Sequence, residues 1–198
     1  MKKRLALCLS LWLSCVPSFA YKLIYAEQLY ELYHRHLYQD SDNTMENIVW
    51  LEEALKAPFA NPLYALAKIE DSGEWRHYRY LFQMHVNLLL VKLYMNFGSR
   101  YNKQVAYFYN APWKEQNLDS LETAEELFRL ALYYWDQAVS WSRKLTGSPH
   151  HLEEVQYWED ENHRIKTGDL DYRDIIGEHL EWLEKVRQDF LSMDDQTY

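Results

Sequence analysis

Residues 81–97 read LFQMHVNLLLVKLYMNF, and this stretch decides the fold. Between Arg79 and Arg100 its single charged side chain is Lys92. Leu81, Phe82, Met84, Val86, Leu88, Leu89, Leu90, Val91 and Leu93 wrap most of the way round a helical projection. A helix that is apolar on nearly every side has to be covered on several sides by other elements. The stretch therefore predicts a central helix, over about Glu74 to Phe97, with Gly98 fitting its C-cap. His85 and Asn87 are the polar exceptions, and a polar group inside such a helix implies a hydrogen-bonding partner.

Working outward, Gly and Pro are scarce and fall between periodic segments, so they mark the ends of the other helices. Leu23, Ala26, Leu29, Tyr30, Tyr33 and Leu37 recur every three or four residues and predict a helix from about Lys22 to Tyr38. Asn43 or Thr44 caps a second one with Ile48, Leu51 and Leu55 on its stripe, stopped by Pro58 and Pro62. A short helix over 62–69 follows, with Asn61 as its cap, and Asp71-Ser72-Gly73 reads as a turn. Beyond the central helix, SRYNKQVAYFYNAPWKEQN (residues 99–117) has no helical stripe and reads as a long connection. Asp119 or Ser120 then starts a long helix running to Gly147, with acidic residues in its first turns. Ser148-Pro149 opens a fifth that ends near Gly168, and Asp169 or Asp171 caps a sixth with Ile175, Ile176, Leu180, Leu183, Val186 and Phe190 on one face. Short turns between long helices make neighbours antiparallel. The expectation is an all-α fold of five to six antiparallel helices as stacked helical hairpins, helical-repeat-like, in one domain over 21–193 with a frayed tail at 194–198.

The first twenty residues set the compartment. Lys2, Lys3 and Arg4 precede the apolar LALCLSLWLSCV, and Ser18-Phe19-Ala20 supplies small residues for a signal peptidase, the three-part form of a secretory signal cleaved after Ala20. The apolar run is shorter than the ~20 residues that span a bilayer. Leu13-Ser14-Cys15 is lipobox-like, with Trp12 where an aliphatic residue is usual, so a lipid anchor at Cys15 is the alternative. Both cysteines, Cys8 and Cys15, fall inside this segment. A processed chain has no thiol, which excludes disulfides, thiolate metal sites and thiol catalysis.

Charge narrows the partners. The sequence has 21 basic and 30 acidic residues, and loss of the signal leaves 18 basic residues, a net −12. Such a chain repels phosphate backbones and anionic lipid, so nucleic acid is not an expected partner. No later segment has the length and apolarity of a transmembrane helix.

TAEELFRLAL places Ala124, Phe128 and Ala131 at the spacing A-x3-F-x2-A, and Ile48 to Pro58 has Ala54-Leu55 ahead of its proline. These segments resemble the second helix of a tetratricopeptide repeat. VAYFYNAPWKEQN and ETAEELFRLALYYW further resemble small exported helical proteins of spirochaetes, some of which are tetratricopeptide-like parts of the collar around the periplasmic flagellar motor. That resemblance implies a structural, partner-binding role in such an assembly.

Chemistry is thinly represented. Eight His are present, and Glu31-Leu-Tyr-His34 has the Glu-x-x-His spacing of di-metal helical bundles, as a weaker version Asp160-Glu-Asn-His163 does. The two further inward Glu that such a site needs are missing from the central helix, so Glu31 and His34 are weak candidates and no metal or other cofactor is expected. HExxH, GxSxG, SxxK and a glycine-rich phosphate loop are all absent. Asp160 and Glu161, within EDEN, read as solvated helix face. The richest stretch is the connection itself, where Tyr101, Tyr107, Phe108, Tyr109 and Trp113 crowd together. Aromatic side chains of this kind plug a fold or anchor a partner. The sequence thus predicts a non-enzymatic periplasmic scaffold or adaptor for other periplasmic or motor-associated proteins. Its rivals are a small-ligand-binding helical module and a metal-binding helical bundle.

Overall fold

The computed structural model describes residues 23–103, 111–145 and 151–194. Six α-helices and three 3-10 turns account for these residues: α1 (Ala26–Gln39), α2 (Thr44–Lys56), α3 (Ser72–Ser99), α4 (Lys114–Lys144), α5 (Gln156–Thr167) and α6 (Tyr172–Ser192). The 3-10 turns are Pro62–Tyr64, Ala111–Trp113 and Glu153–Val155. No strand occurs among the described residues, so the fold is all-α. No helix among them is long and apolar enough to cross a membrane. The signal segment and Cys15 lie outside the described residues.

Helix α3 is the hub. Tyr78, Leu81, Phe82, Met84, Val86, Leu88, Leu90 and Val91 are fully buried. Helix α4 runs antiparallel along it. Tyr80, near the start of α3, meets Trp141 near the end of α4; Tyr94 stacks on Tyr134; and Gly98 sits against Phe128. Helix α6 lies antiparallel on the other side of α4, through Lys114 to the Leu191 carbonyl, Phe128 to His179 and Asp136 to Arg173. Helices α1 and α2 form a hairpin, closed by Ala26 N–H to the Pro58 carbonyl at one end and by His36 to Asn47 toward the other. The short α5 packs on α3 and α4. The last two helices therefore do not pair with each other: α5 docks on α3 and α4, and α6 docks on α4.

Several helix ends differ from the sequence reading. Asp71-Ser72-Gly73 is a cap, because Asp71 accepts from Gly73 N and Glu74 N and the helix begins at Ser72. Gly98 is inside α3, and its role is proximity: a Cβ there would lie 3.0 Å from the Phe128 ring. Helix α4 begins at Lys114, not at Asp119 or Ser120. Pro112 and Trp113 wind the 3-10 turn ahead of it, and no side chain caps it. Ser120 instead donates to the Tyr101 carbonyl at 3.1 Å, fastening the end of α3. The helix expected over 62–69 is only the turn at Pro62–Tyr64, with Asn61 as its cap. The fifth helix starts at Gln156, and Ser148-Pro149 lies outside the described residues. Gly168 ends it at φ 81°, the left-handed C-cap geometry that favours glycine. On α6, Ile175 is 43% exposed rather than buried with Ile176.

Candidate functional site

Of the two polar exceptions in α3, His85 acquires partners from α1 and α5, while Asn87 donates to the Gln83 carbonyl of its own helix. His85, 2% exposed, has Nδ1 2.6 Å from Glu161 Oε2 and Nε2 3.0 Å from the Tyr30 hydroxyl. Glu161, itself 2% exposed, also accepts from Lys92 Nζ at 3.2 Å through Oε1. A carboxylate offers only acceptors, so the imidazole carries its proton on Nδ1 and its Nε2 accepts the Tyr30 O–H. Burial pushes His85 below the ordinary histidine range, against the pull of Glu161 in the other direction. Glu161 is raised by burial, but the hydrogen bond from His85 and the ammonium of Lys92 hold it below the ordinary carboxylate range. Trp158 stacks on the imidazole with 5.0 Å between ring centres, and Tyr30 meets the Trp158 edge. Glu161 is thus a buried tie between α3 and α5, not solvated face, whereas Asp160 beside it is exposed.

A Tyr–His–carboxylate chain has the order of a proton relay. Here it works as a clasp. Burial raises the Tyr30 hydroxyl well above the ordinary phenol range, so it stays protonated and donates to the imidazole. Tyr30 does not line the cleft that opens on the neighbouring turns of α1. A second tie, His77 Nε2 to Glu159 Oε1 at 2.7 Å, joins the same two helices nearer the start of α3.

Of the aromatic connection, Tyr101 and Trp113 are described, while Tyr107, Phe108 and Tyr109 lie outside the described residues. Tyr101 is half-buried, edge-on to Phe97. Trp113 is 44% exposed at the head of α4. Both belong to one end of the bundle, where α3 finishes, α4 begins and α6 finishes. Lys114 Nζ caps the end of α6 by donating to the carbonyls of Leu191 and Met193 at 3.0 and 3.1 Å. Trp182 Nε1 donates to the Asn102 carbonyl at 3.3 Å. Trp182 stays 38% exposed and Leu191 50% exposed, so this end presents rings and an aliphatic side chain on a fixed frame. Sequence reasoning missed Trp182, which sits among the charged residues of α6 and reads as one more core ring.

The metal candidates separate. Glu31 faces the cleft on α1, while His34 packs edge-on against Tyr30 and Tyr33. Among the described residues no group of three or more His, Cys, Asp or Glu side chains converges as a metal site.

The cleft, of about 410 Å³, is lined by Tyr25, Glu27, Gln28, Glu31, Ala60 and Tyr64. It was not legible in the sequence, because Glu27 reads as an ordinary acidic residue in a helix's first turn. Glu27 is 3% exposed.

The chain belongs to the family described as a domain of unknown function (DUF8513), whose model matches residues 73–193, from the start of α3 to the end of α6. No curated protein and no solved structure matches it.

Proposed function

We propose that this protein is a non-enzymatic helical scaffold or adaptor that acts after export, in the periplasm, by docking other proteins on a rigid bundle end. What carries the reading is the exposure of Trp113 and Trp182, 44% and 38%, together with Leu191, along helices fastened through Lys114 and the Asn102 carbonyl. Exposed tryptophans on a fixed frame suit a docking surface, since large rigid rings contribute most per residue when a partner covers them. The signal-like segment supports export. The resemblance to exported spirochaete proteins names the assembly to try first, the collar of the periplasmic flagellar motor.

The test is a cross-linked pull-down of the tagged chain from its own cells, repeated with Trp113→Ala and Trp182→Ala. Both variants are expected to stay folded and lose the captured partner, Trp182→Ala melting somewhat lower because its hydrogen bond to the Asn102 carbonyl goes. A partner retained in full by the double variant would move the docking surface elsewhere; a protein that comes down alone would end the scaffold reading. A second reading, a module for a small ligand, is favoured by the cleft on α1.

A further inference from the structure

Glu27 has half of its hydrogen bonding satisfied. Its Oε2 accepts the Ala60 N–H at 3.0 Å, while its Oε1 is buried without a hydrogen-bond partner. The amide donors nearest in the chain are spent elsewhere, for Gln28 Oε1 takes the Ile24 and Tyr25 N–H groups at 3.0 and 3.2 Å. A buried acceptor left alone costs about 1–3 kcal/mol, so it marks a place where a donor belongs. Burial raises the Glu27 carboxyl above the ordinary carboxylate range, against the pull of the Ala60 N–H and of its own nearby backbone N–H, and the charge of Glu31 adds to the rise.

The cleft that Glu27 lines selects the donor. Glu31 lies one helical turn on, on the same face, so anions are repelled. Two carboxylates fall short of the six or more oxygens that calcium takes. Tyr25 and Tyr64, 39% and 71% exposed, flank the opening and offer ring faces to a cation or an alkyl stem. We propose that this cleft binds a primary alkylammonium group, its N–H donors directed at the free oxygen of Glu27, Glu31 balancing the charge, and Tyr25 and Tyr64 enclosing the stem. The inference deepens the small-ligand reading and is independent of protein docking at the Trp113 end.

The experiment is calorimetric titration of the signal-free chain with cadaverine and with N-acetyl-lysine amide, against tetramethylammonium and calcium chloride. Either amine is expected to bind. Cadaverine alone identifies a free diamine; equal binding of the lysine derivative identifies a lysyl side chain. Glu27→Gln keeps the acceptor for Ala60, and is expected to weaken amine binding by about tenfold or more, with Glu31→Gln weakening it less. Circular dichroism melts of the free proteins at pH 8 supply a second readout: Glu27→Gln is expected to melt at the parental temperature or higher. No binding of either amine, undiminished binding by Glu27→Gln, or equal binding of tetramethylammonium or calcium would overturn the proposal. The pull-down at Trp113 and Trp182 is unaffected by any of these results, so the two readings fail separately.

Discussion

Replacing Glu161 with Ala tests whether the clasp between α1, α3 and α5 holds the bundle. The loss has three parts. His85 keeps its Nδ1 proton but loses its acceptor at a site 2% exposed, which costs about 1–3 kcal/mol. One buried methylene goes with the carboxylate, at about 0.8 kcal/mol. Lys92 loses its partner, but its side chain is 36% exposed and turns to water, so that part is below about 1 kcal/mol. The expected loss is about 2–5 kcal/mol, overlapping the range for breaking other buried pairs. For a chain of this size that lowers the melting temperature by roughly 10 °C. Urea titration of parent and variant, followed by circular dichroism, reads it directly. The double variant His85→Phe, Glu161→Leu removes donor and acceptor together while keeping a ring against Trp158. It is expected to recover about 1–2 kcal/mol relative to the sum of the singles. A single-variant loss below about 1 kcal/mol, or strict additivity, would refute the claim that this contact ties the helices.

Acid should act through the same residues. His85 and Glu161 both have folded-state values held below their ordinary ones, so the unfolded chain binds more protons in the intervening window. Stability is therefore full above about 6.5, the ordinary value for His85, declines below it, and declines again below 4.5, the ordinary value for Glu161. Urea midpoints from pH 8 to pH 4 check this, and a His85→Phe variant should show a smaller upper step, the remainder belonging to His34, which burial also lowers. Gly98→Ala is expected to destabilise by about 1–2 kcal/mol, because a Cβ 3.0 Å from Phe128 outweighs the better helix propensity of alanine. Phe128 is fully buried and stacked on His179 at 4.7 Å, so it has no room to retreat; an unchanged melting temperature would mean that it does.

The apolar wrap of α3 was legible because its signal is local: residues three and four apart declare a face, and a helix without a polar face declares its burial. Ties between distant segments leave no such trace. Lys92 stood out as the lone charge in α3, but its partner is 69 residues away and sits in a run of acids that resembles any solvated face. The residue types in EDEN carry no mark of which side chain turns inward. The register of α5 on α3 decides that, and Trp158 and Asn162 are buried on the same face as Glu161. The start of α4 was misplaced for a related reason. The good cap residues at Asp119 and Ser120 attracted the assignment, while the real beginning has Lys114 anchored to α6 in place of a side-chain cap.

Comparing the two buried acids shows where the molecule is complete and where it is open. Glu161 and Glu27 have nearly the same exposure, 2% and 3%. Glu161 receives His85 and Lys92 on its two oxygens, and its buried charge is answered inside the fold. Glu27 receives one backbone N–H and has a second oxygen with none. A fold that needed Glu27 only as a strut for Ala60 would do as well with glutamine, which avoids the charge. A carboxylate at that position, facing a cleft with a second carboxylate and two tyrosines, is accounted for by a cation that arrives from outside.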